Sequence, residues 1–102
     1  MKIFLISDNV DTLTGMRLAG IPGVIAHTEK EFSAALSSAL ADPDNGIVLL
    51  TEKFGRDFPE LVNSAKGRSG LPLVIDIPDR HGSGRSPDFI TDYISETIGL
   101  KL

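Results

Sequence analysis

Apolar and polar residues fall in blocks along this chain. Ile3 to Ile6 and Ile47 to Leu50 are unbroken apolar runs of four. Each is too short for a buried helix and suits a strand covered on both faces. Val24–His27 is a weaker run, better suited to a sheet edge. Leu71–Ile77 is the fourth; Pro72 cannot donate to a ladder, so it predicts another edge strand. Helical patterns separate the strands. Asn9–Gly20 has Val10, Leu13 and Met16 as an inner stripe, Asn9 or Asp11 as cap and Gly20 as stop. Thr28 and Glu31 have the spacing of a capping box. Phe32, Ala35, Leu36, Ala39 and Leu40 then follow at i, i+3, i+4, i+7 and i+8, one apolar face. Asp42–Gly46 predicts a turn. Thr51 is the expected cap of the next helix, which Gly55 weakens and Pro59 splits. Leu61, Val62 and Ala65 point inward there, with Phe54 and Phe58 beside them, and Gly67 closes it.

Strands alternating with helices predict an α/β fold with a parallel sheet. Two central and two edge strands fit the order 2-1-3-4, a small flavodoxin-like, or receiver-like, sheet flanked by helices. The chain leaves no room for a fifth strand. Residues 1–78 form the expected α/β core. Residues 79–86, with Gly82 and Gly84, read as a hinge loop, and 87–102 as a C-terminal helix and tail. Ser86-Pro87-Asp88 supplies cap, first-turn proline and acid. Phe89, Ile90, Tyr93, Ile94 and Ile98 spread over an arc wider than one face of a small sheet requires.

With 102 residues, 41% of them hydrophobic, the chain is sized for one domain with a modest core. Its net charge of -4, with no Lys/Arg cluster, argues against nucleic acid and anionic membrane as partners. The absence of cysteine excludes disulfides, thiol catalysis and thiolate metal sites. No run approaches the ~18 apolar residues of a membrane span. Met1-Lys2-Ile3 leads straight into a core strand, which is not the pattern of a cleavable signal.

In open parallel sheets, sites form beyond the carboxyl ends of the strands. Here those ends carry Ser7-Asp8-Asn9, His27-Thr28, Thr51-Glu52 and Asp76-Ile77-Pro78. A phosphoryl-accepting receiver needs an acidic pair after the first strand and an Asp after the third. Asn9 stands beside Asp8, and the third strand ends in Thr51-Glu52. Thr12-Leu13-Thr14-Gly15 has the T-x-T-G form of a flavodoxin phosphate loop, though flanking aromatics for a flavin are missing. Gly82-Ser83-Gly84 lacks both the third glycine of a dinucleotide fingerprint and the Lys of a P-loop. His27 and His81 have no metal-spaced companion. No catalytic residue, cofactor or metal is expected. Two readings stay open: a binding module with surplus apolar surface at its last helix, and a phosphate- or flavin-binding protein using Thr12, Thr14 and Gly15.

Asp11-Thr12-Leu13-Thr14-Gly15-Met16-Arg17-Leu18-Ala19-Gly20 resembles the T-x-x-G-F-R-L-A-G stretch of the F-subunit family of V-type (archaeal and bacterial A/V-type) ATPases. Met16 replaces the usual Phe, another large apolar residue. Leu50-Thr51-Glu52 resembles that family's I-T-E. Leu71-Pro72-Leu73-Val74-Ile75 with Ile77-Pro78 resembles its L-P-x-I…I-P strand, and Ile98-Gly99-Leu100-Lys101-Leu102 its ending. The resemblance spans the chain. It implies a non-catalytic central-stalk (rotor) component, cytoplasmic and peripheral to the membrane in the V1/A1 sector. Such a component binds the coiled-coil D subunit, meets the A/B catalytic ring indirectly, and regulates rotary ATP synthesis or hydrolysis coupled to proton or sodium transport. On that reading Phe89, Ile90, Tyr93, Ile94 and Ile98 are shared between the chain's own sheet and the D subunit, with Arg17 a candidate partner contact.

Overall fold

The computed structural model describes residues 1–78. The expectations for His81, the 79–86 loop and the helix at 87–102 lie outside those residues. Four parallel strands form one sheet in the order β2-β1-β3-β4: β1 (Lys2–Ser7), β2 (Gly23–Ile25), β3 (Asn45–Thr51) and β4 (Leu73–Ile77). The helices are α1 (Val10–Leu18), α2 (Glu29–Ala41), α3 (Lys53–Asp57) and α4 (Pro59–Lys66). The expected order and the placing of β2 and β4 at the edges are both borne out. Every residue of β3 is buried, as its unbroken apolar run requires.

The sheet divides the core in two. On one face Ile6, Val48 and Leu50 pack with Phe32 and Leu36 of α2, Phe54 of α3, and Val62 and Ala65 of α4. Phe32 and Phe54 stack with ring centroids 4.2 Å apart and planes 10° apart; Phe58 lies 5.8 Å from Phe32. On the other face Leu5, Ile47, Leu49 and Ile77 pack with Met16 of α1 and with Ile21. Among the described residues α1 is the one helix on that face.

Local chemistry fixes the helix ends. Asn9, rather than Asp11, caps α1, its Oδ1 accepting from the Thr12 N–H at 2.7 Å. The far end closes in a Schellman motif. Gly20 takes φ +87, the Gly20 N–H donates to the Arg17 carbonyl, and the Ile21 N–H donates to the Met16 carbonyl. Ile21 and Met16 share one core cluster, the apolar contact that accompanies this motif. The expected capping box at α2 is present in both directions. Pro59 opens α4 as its first residue.

Four expectations need correction. Val10 is 64% exposed, not part of an inner stripe. Successive helix positions rotate by about 100°, so Val10 and Met16 lie roughly 120° apart and cannot share a narrow buried face. Thr12 takes the inner place instead, 1% exposed. Thr51 caps nothing; it ends β3, and Glu52 stands at the start of α3 without a side-chain cap bond. The turn after α2 is shorter than Asp42–Gly46. Asn45 already belongs to β3, and its side-chain amide donates to the Ala39 carbonyl at 2.9 Å, closing α2 from the strand. Finally, β2 covers Gly23–Ile25 and β4 starts at Leu73, beyond Pro72.

Candidate functional site

The carboxyl ends of the strands gather Ser7, Asp8, Asn9, Thr51, Glu52 and Ile77. The polar groups there are spent on one another. The Ser7 hydroxyl donates to the Asn9 carbonyl at 2.7 Å and accepts from the Asn9 N–H at 3.0 Å. The Asp8 N–H donates to Thr51 Oγ1 at 3.1 Å, tying β1 to β3. The Asn9 amide donates to Asp8 Oδ1 at 3.2 Å. The Glu52 N–H donates to the Ile77 carbonyl at 3.0 Å, tying β3 to β4. These contacts join strand ends and set the cap of α1. The residue after β1 that a receiver would use as an acid is Asn9, here the cap; β3 delivers a hydroxyl where such a site needs a carboxylate. Among the described residues no three His, Cys, Asp or Glu side chains cluster to hold a metal ion.

The Thr12–Gly15 stretch is not a loop cradling an anion. It lies inside α1. The first free amide, at Thr12, is taken by Asn9 Oδ1, and the Leu13 N–H points to the Asn9 carbonyl at 3.4 Å. Thr12 Oγ1 is buried and has no hydrogen-bond partner; the side chain lies on the same inner arc as Met16. Thr14 is exposed. The three residues of the flavodoxin-like reading therefore do not converge on one anion position.

His27 is exposed at the end of the β2 segment, where its N–H donates to Glu31 Oε1 at 2.9 Å; the Thr28 N–H donates to the same oxygen at 3.1 Å. Those two backbone donors, His27 first, hold the Glu31 carboxyl below the usual glutamate range. Of the partner-contact residues expected from sequence, Arg17 alone falls within the described residues. It is exposed in the last turn of α1, where a cation suits the helix dipole. Sequence reading missed the outward Val10 and Leu18 beside it. The signal was available in the rotation of about 100° per residue, which places both on Arg17's side of the helix.

Fold and strand ends together define a small doubly wound α/β domain whose polar mouth serves its own structure, a scaffold for binding rather than for reaction. Sequence comparison makes this specific. The family profile of the ATP synthase (F/14-kDa) subunit matches residues 3–94. The chain is 34% identical to the A-type ATP synthase F subunit of Methanothermobacter thermautotrophicus over 94 aligned positions, covering 90% of this chain and 88% of that protein. It is 30% identical to the protein of the same name from Pyrococcus furiosus, covering 100% and 98%. The chain belongs to the family of the ATP synthase (F/14-kDa) subunit. It is an accessory subunit of a rotary ATPase, not a catalytic one. No helix among the described residues is long and apolar enough to cross a membrane.

Proposed function

We propose that this chain is a central-stalk component that binds the coiled-coil D subunit and regulates the rotary motor through its C-terminal segment. In this reading residues 1–78 are a rigid head, 79–86 a hinge, and 87–102 a helix whose Phe89, Ile90, Tyr93, Ile94 and Ile98 are divided between the head and the D subunit. Arg17 supplies a polar contact to the same partner. The chain sits in the cytoplasmic V1/A1 sector and meets the A/B ring indirectly. The observation that carries the reading is family membership across residues 3–94, which extends past the head into this segment. The mouth agrees with it: Asp8, Asn9 and Thr51 are engaged in joining strand ends. The test is calorimetric titration of the D subunit with the wild-type chain and with an Ile90→Ser, Ile94→Ser double variant. The reading expects binding by the wild type and at least a tenfold loss in the variant, about 1.4 kcal/mol, with an unchanged circular dichroism spectrum. Equal affinity in both would remove the last helix from the interface. A yellow preparation that binds flavin mononucleotide would replace the reading altogether.

A further inference from the structure

We infer that the outward face of α1 is a second docking surface for the coiled-coil partner, receiving a stretch of its outer surface where a carboxylate sits among apolar side chains. The inference rests on the proposed binding to a coiled coil. Its starting point is the displaced stripe of α1. Val10 is 64% exposed and Leu18 82% exposed. At about 100° per residue, Val10, Thr14, Arg17 and Leu18 fall within an arc of roughly 100°. Val10 and Leu18 lie near its two ends along the axis, about 12 Å apart at ~1.5 Å per residue, a little over two turns of a facing helix.

Single exposed aliphatics are ordinary, so the comparison within the molecule matters. Val10 and Leu18 are the large hydrophobics on the four described helices that stand exposed; α2, α3 and α4 turn theirs inward. The helix dipole explains a base in the last turn, but not two bulky aliphatics beside it. Charge points to the chemistry of the occupant. Lys53, Arg56 and Lys66 each sit beside a carboxylate, of Asp57, Glu52 and Asp76 respectively. Arg17, like Lys30, has no such neighbour among the described residues. A guanidinium flanked by aliphatic side chains suits a carboxylate on a partner, because the flanks exclude water from the pair. The outer positions of coiled coils are rich in such acids.

Position also fits a single partner touching both surfaces. α1 begins, and the chain leaves β4, at the same carboxyl end of the sheet. From β2 to β4 is three strand spacings of about 4.8 Å, or roughly 14 Å. Two helices side by side are about 20 Å broad, enough to reach across.

The test is titration of the cognate coiled-coil subunit into the full-length chain, wild type and variants, at low and high salt. Arg17→Glu and the double variant Val10→Ser, Leu18→Ser change exposed positions, and circular dichroism checks that they fold. The inference expects each to weaken binding about tenfold or more, the scale of an interface anchor. It also expects the affinity of Arg17→Gln to depend less on salt than that of the wild type. Full affinity in both α1 variants while Ile90→Ser, Ile94→Ser loses binding would overturn the inference and leave the proposed function standing. No binding by the wild type would overturn both. If sedimentation showed the wild-type chain pairing with itself, and Leu18→Ser abolished that pairing without touching partner affinity, the face would belong to a second copy and the inference would fail.

Discussion

Gly23 and Gly46 look alike in the sequence, each near the start of a strand, yet their surroundings predict opposite responses to a side chain. A Cβ on Gly23 would lie 2.6 Å from the Leu5 carbonyl oxygen and 2.8 Å from Leu5 Cβ, with Leu13 of α1 at 3.0 Å. Backbone cannot yield, so β2 would have to part from β1 and α1. Gly23→Ala should destabilise by about 1–3 kcal/mol, the scale of overpacking, and denaturant unfolding measures it. A Cβ on Gly46 would meet the side chain of Met1 alone. Met1 is 88% exposed and free to swing away. Gly46→Ala should therefore change stability by less than about 0.5 kcal/mol. Thr12 gives a third contrast. Its buried hydroxyl is unpartnered, and valine has the same shape without it. Thr12→Val should be neutral or stabilising by up to about 1 kcal/mol, whereas a hydroxyl holding a phosphate would make that change costly to ligand binding.

At the scale of elements, α2 shows how pH enters the stability of this fold. The Thr28 hydroxyl accepts from the Glu31 N–H at 3.1 Å while the Glu31 carboxylate accepts from His27 and Thr28. Thr28→Ala should cost about 1 kcal/mol. The Glu31 carboxyl is held below its usual range, so its contribution is full above the unfolded value near 4.3 and fades as pH falls through the lower folded value. Glu31→Gln should therefore be less stable than the wild type at neutral pH, and the gap should narrow in acid; paired denaturation curves across pH 2–7 read it. This cap was legible in sequence because its residues lie three apart and use only local backbone. The buried face of α2 and the split at Pro59 were legible for the same reason. The inner face of α1 was not. Its apolar residues are few, Thr12 sits inside, and the Schellman close at Gly20 shows only through hydrogen bonds. Nor could Asn45 be told from a turn residue, since its partner at the Ala39 carbonyl is a matter of tertiary approach. The strand-end residues are legible as a group, but that Thr51 serves Asp8 rather than α3 depends on two strands meeting 43 residues apart in sequence.

For the molecule as a whole, the unequal cover of the two sheet faces decides where a mutation matters. One face lies beneath α2, α3 and α4 and holds the stacked Phe32, Phe54 and Phe58. Phe54 is 2% exposed, so its ring is enclosed by neighbours that cannot all collapse into the space it would leave. Phe54→Ala should cost about 3–5 kcal/mol. Leu73, at the start of edge strand β4 on the α1 side, is 53% exposed. It gains less from burial and leaves no closed cavity, so Leu73→Ala should cost under about 1 kcal/mol. A domain of this size has only about 5–15 kcal/mol in total. The first change takes a large share of it and the second almost none. In thermal melts each kcal/mol moves the midpoint by roughly 4–8 °C. Phe54→Ala should thus lower the midpoint by more than about 10 °C, and Leu73→Ala by only a few degrees. Equal losses would mean that the two faces are enclosed alike, and that the α1 side is covered by more than α1.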